Sequence, residues 1–347
     1  MRVLVSTVVH RPEDARIRHR QIPALLEAGH EVIYLAPPGD TSPGHDRLDR
    51  VIGPMSSGRD RLRALRTVRP MLRDLSAKVD ITVLHDPELL AHSRVIQSPV
   101  IWDVHEDLSA QLVDKAWVPK PLRPLSALAS RFLLRRGMAL PRTIAEVGYQ
   151  ATHHDAILVR NTVNVPATVP PTGDKRVVYI GRVSNGRGAA TLTGTARRCP
   201  DVHFDVLGPA DSDVAVPGTN VVAHGFVPNS EALGHVEGAL AGLSLLQDLP
   251  NYRHSMPTKI LEYLAHGVPV ISTPLPAAVD VIETHDCGII VPFDDPAATA
   301  AAIEQLRSSP DERQRLADNG RRAVQAHFNW LDDAAAMIDY YGQVAAG

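Results

Sequence analysis

The sequence predicts an α/β protein of two domains, each built on a doubly wound parallel sheet. Three observations predict it. Short apolar runs alternate with longer helical patterns from the first residues onward. The alternation starts afresh after residue 174, and 347 residues suit two domains of roughly 150 to 200 residues each.

Taken in order, Arg2 to Val5 reads as a strand, Ala15 to Ala28 as a helix, and Glu31 to Leu35 as the next strand, which is a βαβ opening. Ile17, Ala24, Leu25 and Ala28 share the apolar side of that helix, and Gly29 supplies its left-handed stop. Ile81 to Leu84 and Val100 to Asp103 add strands. The stretch NVPATVPPTGD, 164–174, has neither helical nor strand period and reads as an interdomain linker. The second series then runs as strand 176–180, a helix from Ala189, strands 202–207 and 220–223, helix 230–240, strand 241–246, helix 258–266 and strand 269–272. Two amphipathic helices close the chain, Asp311 to His327 and Trp330 to Val344, the latter with Met337, Ile338 and Tyr341 at helical spacing. The expected partition is 1–163 joined by the terminal helix 330–347, the linker, and 175–329.

Composition narrows the function classes. With 44% apolar and 22% charged residues the whole chain is expected to fold. A net charge of -3 supplies no global field to attract nucleic acid. Cys199 and Cys287 lie far apart without CxxC or Cys-His spacing, so neither a disulfide framework nor a structural zinc is expected, and a reducing cytoplasm fits. Val3 to Val9 is too short and too quickly followed by His10-Arg11 for a signal peptide, and no run approaches the ~18 apolar residues of a membrane span. Residues 59–78 carry arginines at 59, 61, 63, 66, 69 and 73 among leucines; this reads as a solvated face over a sheet, with weak peripheral membrane contact as the other reading.

Two segments carry chemistry. In VVYIGRVSNGRG, 177–188, an apolar strand ends in Gly181 and is followed by Arg182, Arg187 and Gly188. Open α/β sheets bind ligands at the carboxyl ends of strands, where two arginines neutralise a diphosphate and two glycines admit it; a surface turn with two solvated arginines gives the same pattern. In SMPTKILEYLAHGVPVI, 255–271, Pro257 suits the start of a short helix and Gly267 its exit. Ile260, Leu261, Leu264 and Ala265 form one side, with Lys259, Glu262, Tyr263 and His266 on the other. The helix start at Ser255, Met256, Pro257 and Thr258 favours a phosphate, and Glu262 is placed to accept ribose hydroxyls, or else to pair with Lys259.

On these residues the chain resembles the retaining glycosyltransferases of the GT4 family, glycosyl transferases group 1. The matches are Gly181-Arg182 with Arg187-Gly188, PTKILEYLAHGVPVI, His85-Asp86-Pro87 with Asp103-Val104-His105-Glu106, and Phe328-Asn329-Trp330. The resemblance implies a GT-B fold, two Rossmann-like domains facing across a cleft. It implies that Arg182 and Arg187 hold the donor diphosphate, that Glu262 holds the ribose and that His105 lies near the reacting sugar. It further implies front-face transfer from a nucleotide-diphosphate sugar to a hydroxyl or amine of a natural product or cell-envelope acceptor, with no bound cofactor and no metal.

Three positions depart from the family pattern. His254 stands where the family has a glutamate, Arg187 replaces the usual lysine, and STVVHRPEDARIRHR replaces a glycine-rich loop after the first strand. His10, Arg11, Asp14 and Arg16 in that loop are the acceptor-side candidates. Asp211-Ser212-Asp213 matches the DxD of metal-dependent transferases but sits in a Pro/Gly/Ala-flanked turn, and sixteen histidines include no HExxH, so no metal site is expected. The rival readings are a nucleotide-sugar 2-epimerase or phosphorylase, and a non-catalytic nucleotide-sugar-binding protein.

Overall fold

A computed structural model describes residues 1–39, 44–104, 123–250, 252–253 and 256–347. The chain divides into two compact units, Met1–Asn161 with Leu331–Gly347, and Thr162–Trp330.

In the first unit seven strands, β1 (Arg2–Ser6), β2 (Glu31–Ala36), β3 (Leu48–Ile52), β4 (Ile81–Leu84), β5 (Val100–Val104), β6 (Arg142–Ile144) and β7 (Ile157–Leu158), lie in the order β3-β2-β1-β4-β5-β6-β7. Every pairing is parallel. The strands are therefore apolar on both sides, as β1, β2, β4 and β5 show, because helices cover both faces of such a sheet. Val68 and Leu72 of the arginine-rich helix Arg61–Ser76 join Leu4, Leu35, Leu84 and Trp102 in one core. Its apolar side is thus occupied, and its arginines face solvent.

The segment after β1 departs from the expected helix 15–28. It opens with a wide π turn, Ile17–Gln21, and only then continues as the α-helix Ile22–Glu27. Asp14 fixes the entry, its Oδ1 accepting from the N–H groups of Arg16 at 2.9 Å and Ile17 at 3.0 Å. The terminal helix Trp330–Ala346 completes this unit: Arg160 donates to both carboxylate oxygens of buried Asp333, and Arg142 N–H donates to Tyr340 Oη.

In the second unit six parallel strands, β8 (Arg176–Ile180), β9 (His203–Leu207), β10 (Val221–Gly225), β11 (Ala241–Ser244), β12 (Val270–Ser272) and β13 (Gly288–Ile290), lie in the order β10-β9-β8-β11-β12-β13. Val177 and Tyr179 enter one core and Val178 the opposite one, the period-two signature of a strand buried on both faces. The Pro-rich stretch 164–174 belongs to this unit and is tied down along it. Arg321 donates to the carbonyls of Ala167 and Ala265, at 3.1 and 2.6 Å, and Thr172 Oγ1 donates to Gln314 Oε1 at 3.1 Å.

In each sheet the strand order reverses beside the first strand, between β1 and β4 and between β8 and β11. A crevice outside the carboxyl ends of the strands opens at such a point.

Candidate functional site

The switch point of the second unit is lined by both motifs. β8 ends at Ile180, and Gly181 follows with φ +114°, a conformation that L side chains rarely adopt. The backbone turns through Asn185–Arg187 to Gly188, φ +81°, which starts the helix Ala189–Arg198. A Cβ on Gly188 would lie 2.1 Å from the Leu245 carbonyl oxygen just after β11, so only glycine lets the loop reach this place. Tyr179, nearly fully buried, holds the loop from below: its hydroxyl lies 3.0 Å from the Arg182 carbonyl and 3.3 Å from that of Arg187.

Two cations converge on this turn. An ideal Cβ built on Gly181 would be 3.5 Å from Lys259 Nζ and 3.6 Å from an Arg187 guanidinium nitrogen. Lys259 stands in the first turn of the helix Thr258–Ala265, with Nζ buried 3.8 Å above the Tyr179 ring and, among the described residues, donating to no oxygen. Burial, and then the like charge of Arg187, push its pKa down to about 7 against the opposing pull of Glu262. Pro257 is the N-cap of this helix and no side chain among the described residues caps it; Met256, Pro257 and Thr258 are all partly buried.

Arg182 differs. Its side chain is 64% exposed, and Nε donates to Asp211 Oδ1 at 2.5 Å. Asp213, the second acid of the DxD-like turn, accepts from Asn185 Nδ2 at 3.4 Å.

The division of the helix 258–266 into a buried and an outer side requires correction. Every residue from Lys259 to Ala265 is buried, Glu262 included. Tyr263 is the reason: its ring lies beneath Gly242, and its hydroxyl accepts from Ile180 N–H at 2.8 Å and donates to Leu243 O at 3.2 Å, bolting the helix to β8 and β11. The helix starts one residue later than Pro257, and Gly267 closes it at φ +67°.

At the switch point of the first unit, Asp86 is the centre. Its buried carboxylate accepts from Thr7 Oγ1 at 3.0 Å and from the N–H groups of Val8 and Val9, at 2.5 and 3.2 Å. His10 stands between two acids, Nε2 3.4 Å from Asp86 and Nδ1 3.4 Å from Asp14, and stays partly exposed; Arg11 is exposed. Arg16 is corrected as an acceptor-side candidate. It is buried, and its guanidinium donates to both oxygens of Asp103, at 3.0 and 2.8 Å, and to Asn161 Oδ1 and Val159 O. Gln21, Thr143 and His85 converge on the same Asp103, at 2.9, 2.7 and 3.1 Å, so Arg16 and Asp103 hold the sheet together. Asp14 spends one oxygen on the turn and keeps the other toward His10. His105 and Ser255 lie outside the described residues, as does His254.

Sequence reading missed Tyr179, Tyr263 and the anchoring role of Asp86. The tyrosines are visible only as strand or helix residues, and Asp86 only as part of a motif without a partner.

Residues 174–309 match the family model described as glycosyl transferases group 1. The glycogen synthase of Mycobacterium tuberculosis is 21% identical over 93% of this chain and 89% of its own length. Among solved structures, sucrose-phosphate synthase from Thermosynechococcus elongatus aligns with a TM-score of 0.73 at 18% identity, covering 99% of both chains. Anabaena HepE, solved in complex with UDP-glucose, aligns with a TM-score of 0.72 at 12% identity, covering 99% of this chain and 100% of that one.

Proposed function

We propose that the chain is a group 1 glycosyltransferase of the GT-B fold that moves a sugar, with retention, from a nucleotide-diphosphate sugar to a hydroxyl of a natural-product or cell-envelope acceptor. The observation that carries this reading is the convergence of Arg187 and Lys259 on the Gly181 turn, at the start of the helix 258–265. Two cations, a helix N-terminus and a glycine with no side chain in the way form a seat for a diphosphate at the strand-order reversal. Glu262, one turn deeper, is the ribose acceptor. That a structural neighbour holds UDP-glucose supports the donor class.

In the proposed reaction the bond between C1 of the sugar and the β-phosphate oxygen breaks while the acceptor oxygen bonds to C1 on the same face. The acceptor proton passes to the departing phosphate. Charge builds on the diphosphate, and preorganised donors of the kind Arg187 and Lys259 supply contribute about 2.7–4 kcal/mol each to such a step. Arg182 joins them on exchanging Asp211 for phosphate. The reading assigns the charge on the leaving group to Arg182, Arg187 and Lys259 and not to a metal. His105 is assigned to the reacting sugar, and His10 with Asp86 to the acceptor side.

The test is incubation with labelled UDP-, GDP-, dTDP- and ADP-sugars, with and without a chelator. One donor is expected to release its nucleoside diphosphate at the same rate in both. A donor that stays bound and intact for hours would replace this reading with that of a binding protein.

A further inference from the structure

Three residues distant in sequence meet on the other side of β8, apart from the diphosphate turn. Asp205 lies in the middle of β9, His224 near the end of β10, and His235 in the helix Asn229–Val236. His224 Nε2 is 2.8 Å from Asp205 Oδ1, and His235 Nδ1 is 3.6 Å from Asp205 Oδ2. The two imidazoles meet edge to face with centroids 4.6 Å apart, and one ligand atom from each of the three residues lies within 4.8 Å of the others. We propose that Asp205, His224 and His235 bind a single divalent ion of the zinc class, outside the transfer chemistry.

The donor set carries this assignment. Two neutral imidazoles and one carboxylate suit borderline ions such as Zn²⁺, Co²⁺ and Ni²⁺, and not Mg²⁺ or Ca²⁺, which favour all-oxygen cages. A tetrahedral zinc with ~2.0–2.1 Å bonds needs ligand atoms roughly 3.3 Å apart. The two histidine-to-carboxylate separations, 2.8 Å to Oδ1 and 3.6 Å to Oδ2, lie on either side of that value, and no ligand atom is more than 4.8 Å from another, so rotation of the rings and the carboxylate completes the site. Asp205 is 5% exposed while His224 and His235 are partly open, which gives an anchored carboxylate and an entry path. Two neighbours fix the orientation of the carboxylate: His203 Nε2 lies 3.4 Å from Asp205 Oδ1, and Arg176 Nη1 lies 3.3 Å from Oδ2. On binding, the ion takes the place of the proton between His224 and Asp205, and that proton moves to the far ring nitrogen or to solvent.

The chain, stripped with a chelator and dialysed free of it, is titrated with CoCl₂ followed in the visible, and with ZnCl₂ by calorimetry. One equivalent is expected to give the intense d–d bands of a tetrahedral cobalt centre. His224→Ala and His235→Ala are each expected to weaken zinc at least tenfold, with metal-free melting midpoints near the parent's. His285→Ala, at a stacked histidine pair elsewhere in the same unit, is expected to bind as the parent does. No tetrahedral spectrum, or a zinc affinity unchanged in His224→Ala and His235→Ala, overturns the site. So does a loss shared equally by His285→Ala, which would mean adventitious surface binding. If one variant fails to fold, the other decides.

Discussion

A lysine buried with no acceptor among the described residues is an unusual residue, and Lys259 makes a pH-dependent prediction. Its pKa falls from an ordinary value near 10.5 to about 7 in the folded chain. Between those values the unfolded chain holds a proton that the folded one has lost, so this residue makes stability rise with pH, by up to about 1.4 kcal/mol per unit. Below pH 7 both forms are charged and its full cost is present. Lys259→Met is expected to flatten that slope in denaturant melts at pH 7 to 9 and to raise the midpoint. A bound diphosphate reverses the preference by favouring the ammonium, so nucleoside diphosphate affinity in the parent is expected to fall above pH 7, by up to tenfold per unit. Calorimetry in buffers of different ionisation enthalpy reports the proton taken up; no uptake would remove Lys259 from the phosphate. Glu262→Ala is expected to weaken nucleotide binding, and unchanged affinity would remove the ribose from that residue. Arg187, Lys259 and Glu262 were legible as a group because they fall within two short motifs. Arg16 was not, because what decides its role is Asp103, 87 residues away, and local charge patterning cannot report a partner brought in by another strand.

Helix Thr258–Ala265 shows what an element-level reading lacks. Eight residues span barely two turns, and periodicity over two turns separates an apolar from a polar side only when one side meets solvent. Here the polar Tyr263 hydroxyl points inward, to β8 and β11. Tyr263→Phe leaves the Ile180 N–H without its 2.8 Å acceptor and is expected to cost about 1–3 kcal/mol, seen as a lower denaturant midpoint with the fold retained. At Gly188 both φ +81° and the Leu245 carbonyl forbid a side chain. Gly188→Ala is expected to cost about 1–3 kcal/mol and to displace the 185–187 turn, lowering donor affinity as well. Most parallel strands were legible within a residue or two, since apolar runs bounded by turn residues identify them. β3, LDRVI, was overlooked because an edge strand interrupted by two adjacent charged residues, Asp49 and Arg50, carries no such run. The helices 276–285 and 296–308 carried overlooked start signals, Pro276, and Pro296 after an Asp295 N-cap.

At the scale of the whole chain, two parallel sheets with reversed strand order account for the GT-B assignment, and Gly181, Arg187 and Lys259 lie at one switch point and Asp86 at the other. Among the described residues no helix is long and apolar enough to cross a membrane. The Pro-rich stretch, expected as a linker, is fixed to the second unit by Arg321 and Gln314. The last seventeen residues, 331–347, return to the first unit, where Tyr341 is buried beside Arg16 and Asp103 and Asp333 holds Arg160. A ribosome delivers the chain from the amino end, so residues 1–161 emerge long before the helix that covers them. The first unit must wait, with Arg160 and the Tyr341 socket uncovered, while the second unit is made. Fragment 1–161 alone is therefore expected to be soluble only with a peptide of residues 330–347 added in trans, whereas 162–330 is expected to melt cooperatively by itself. A chain cut short by twenty residues keeps the residues of the proposed donor site and still lacks the helix that covers the first unit.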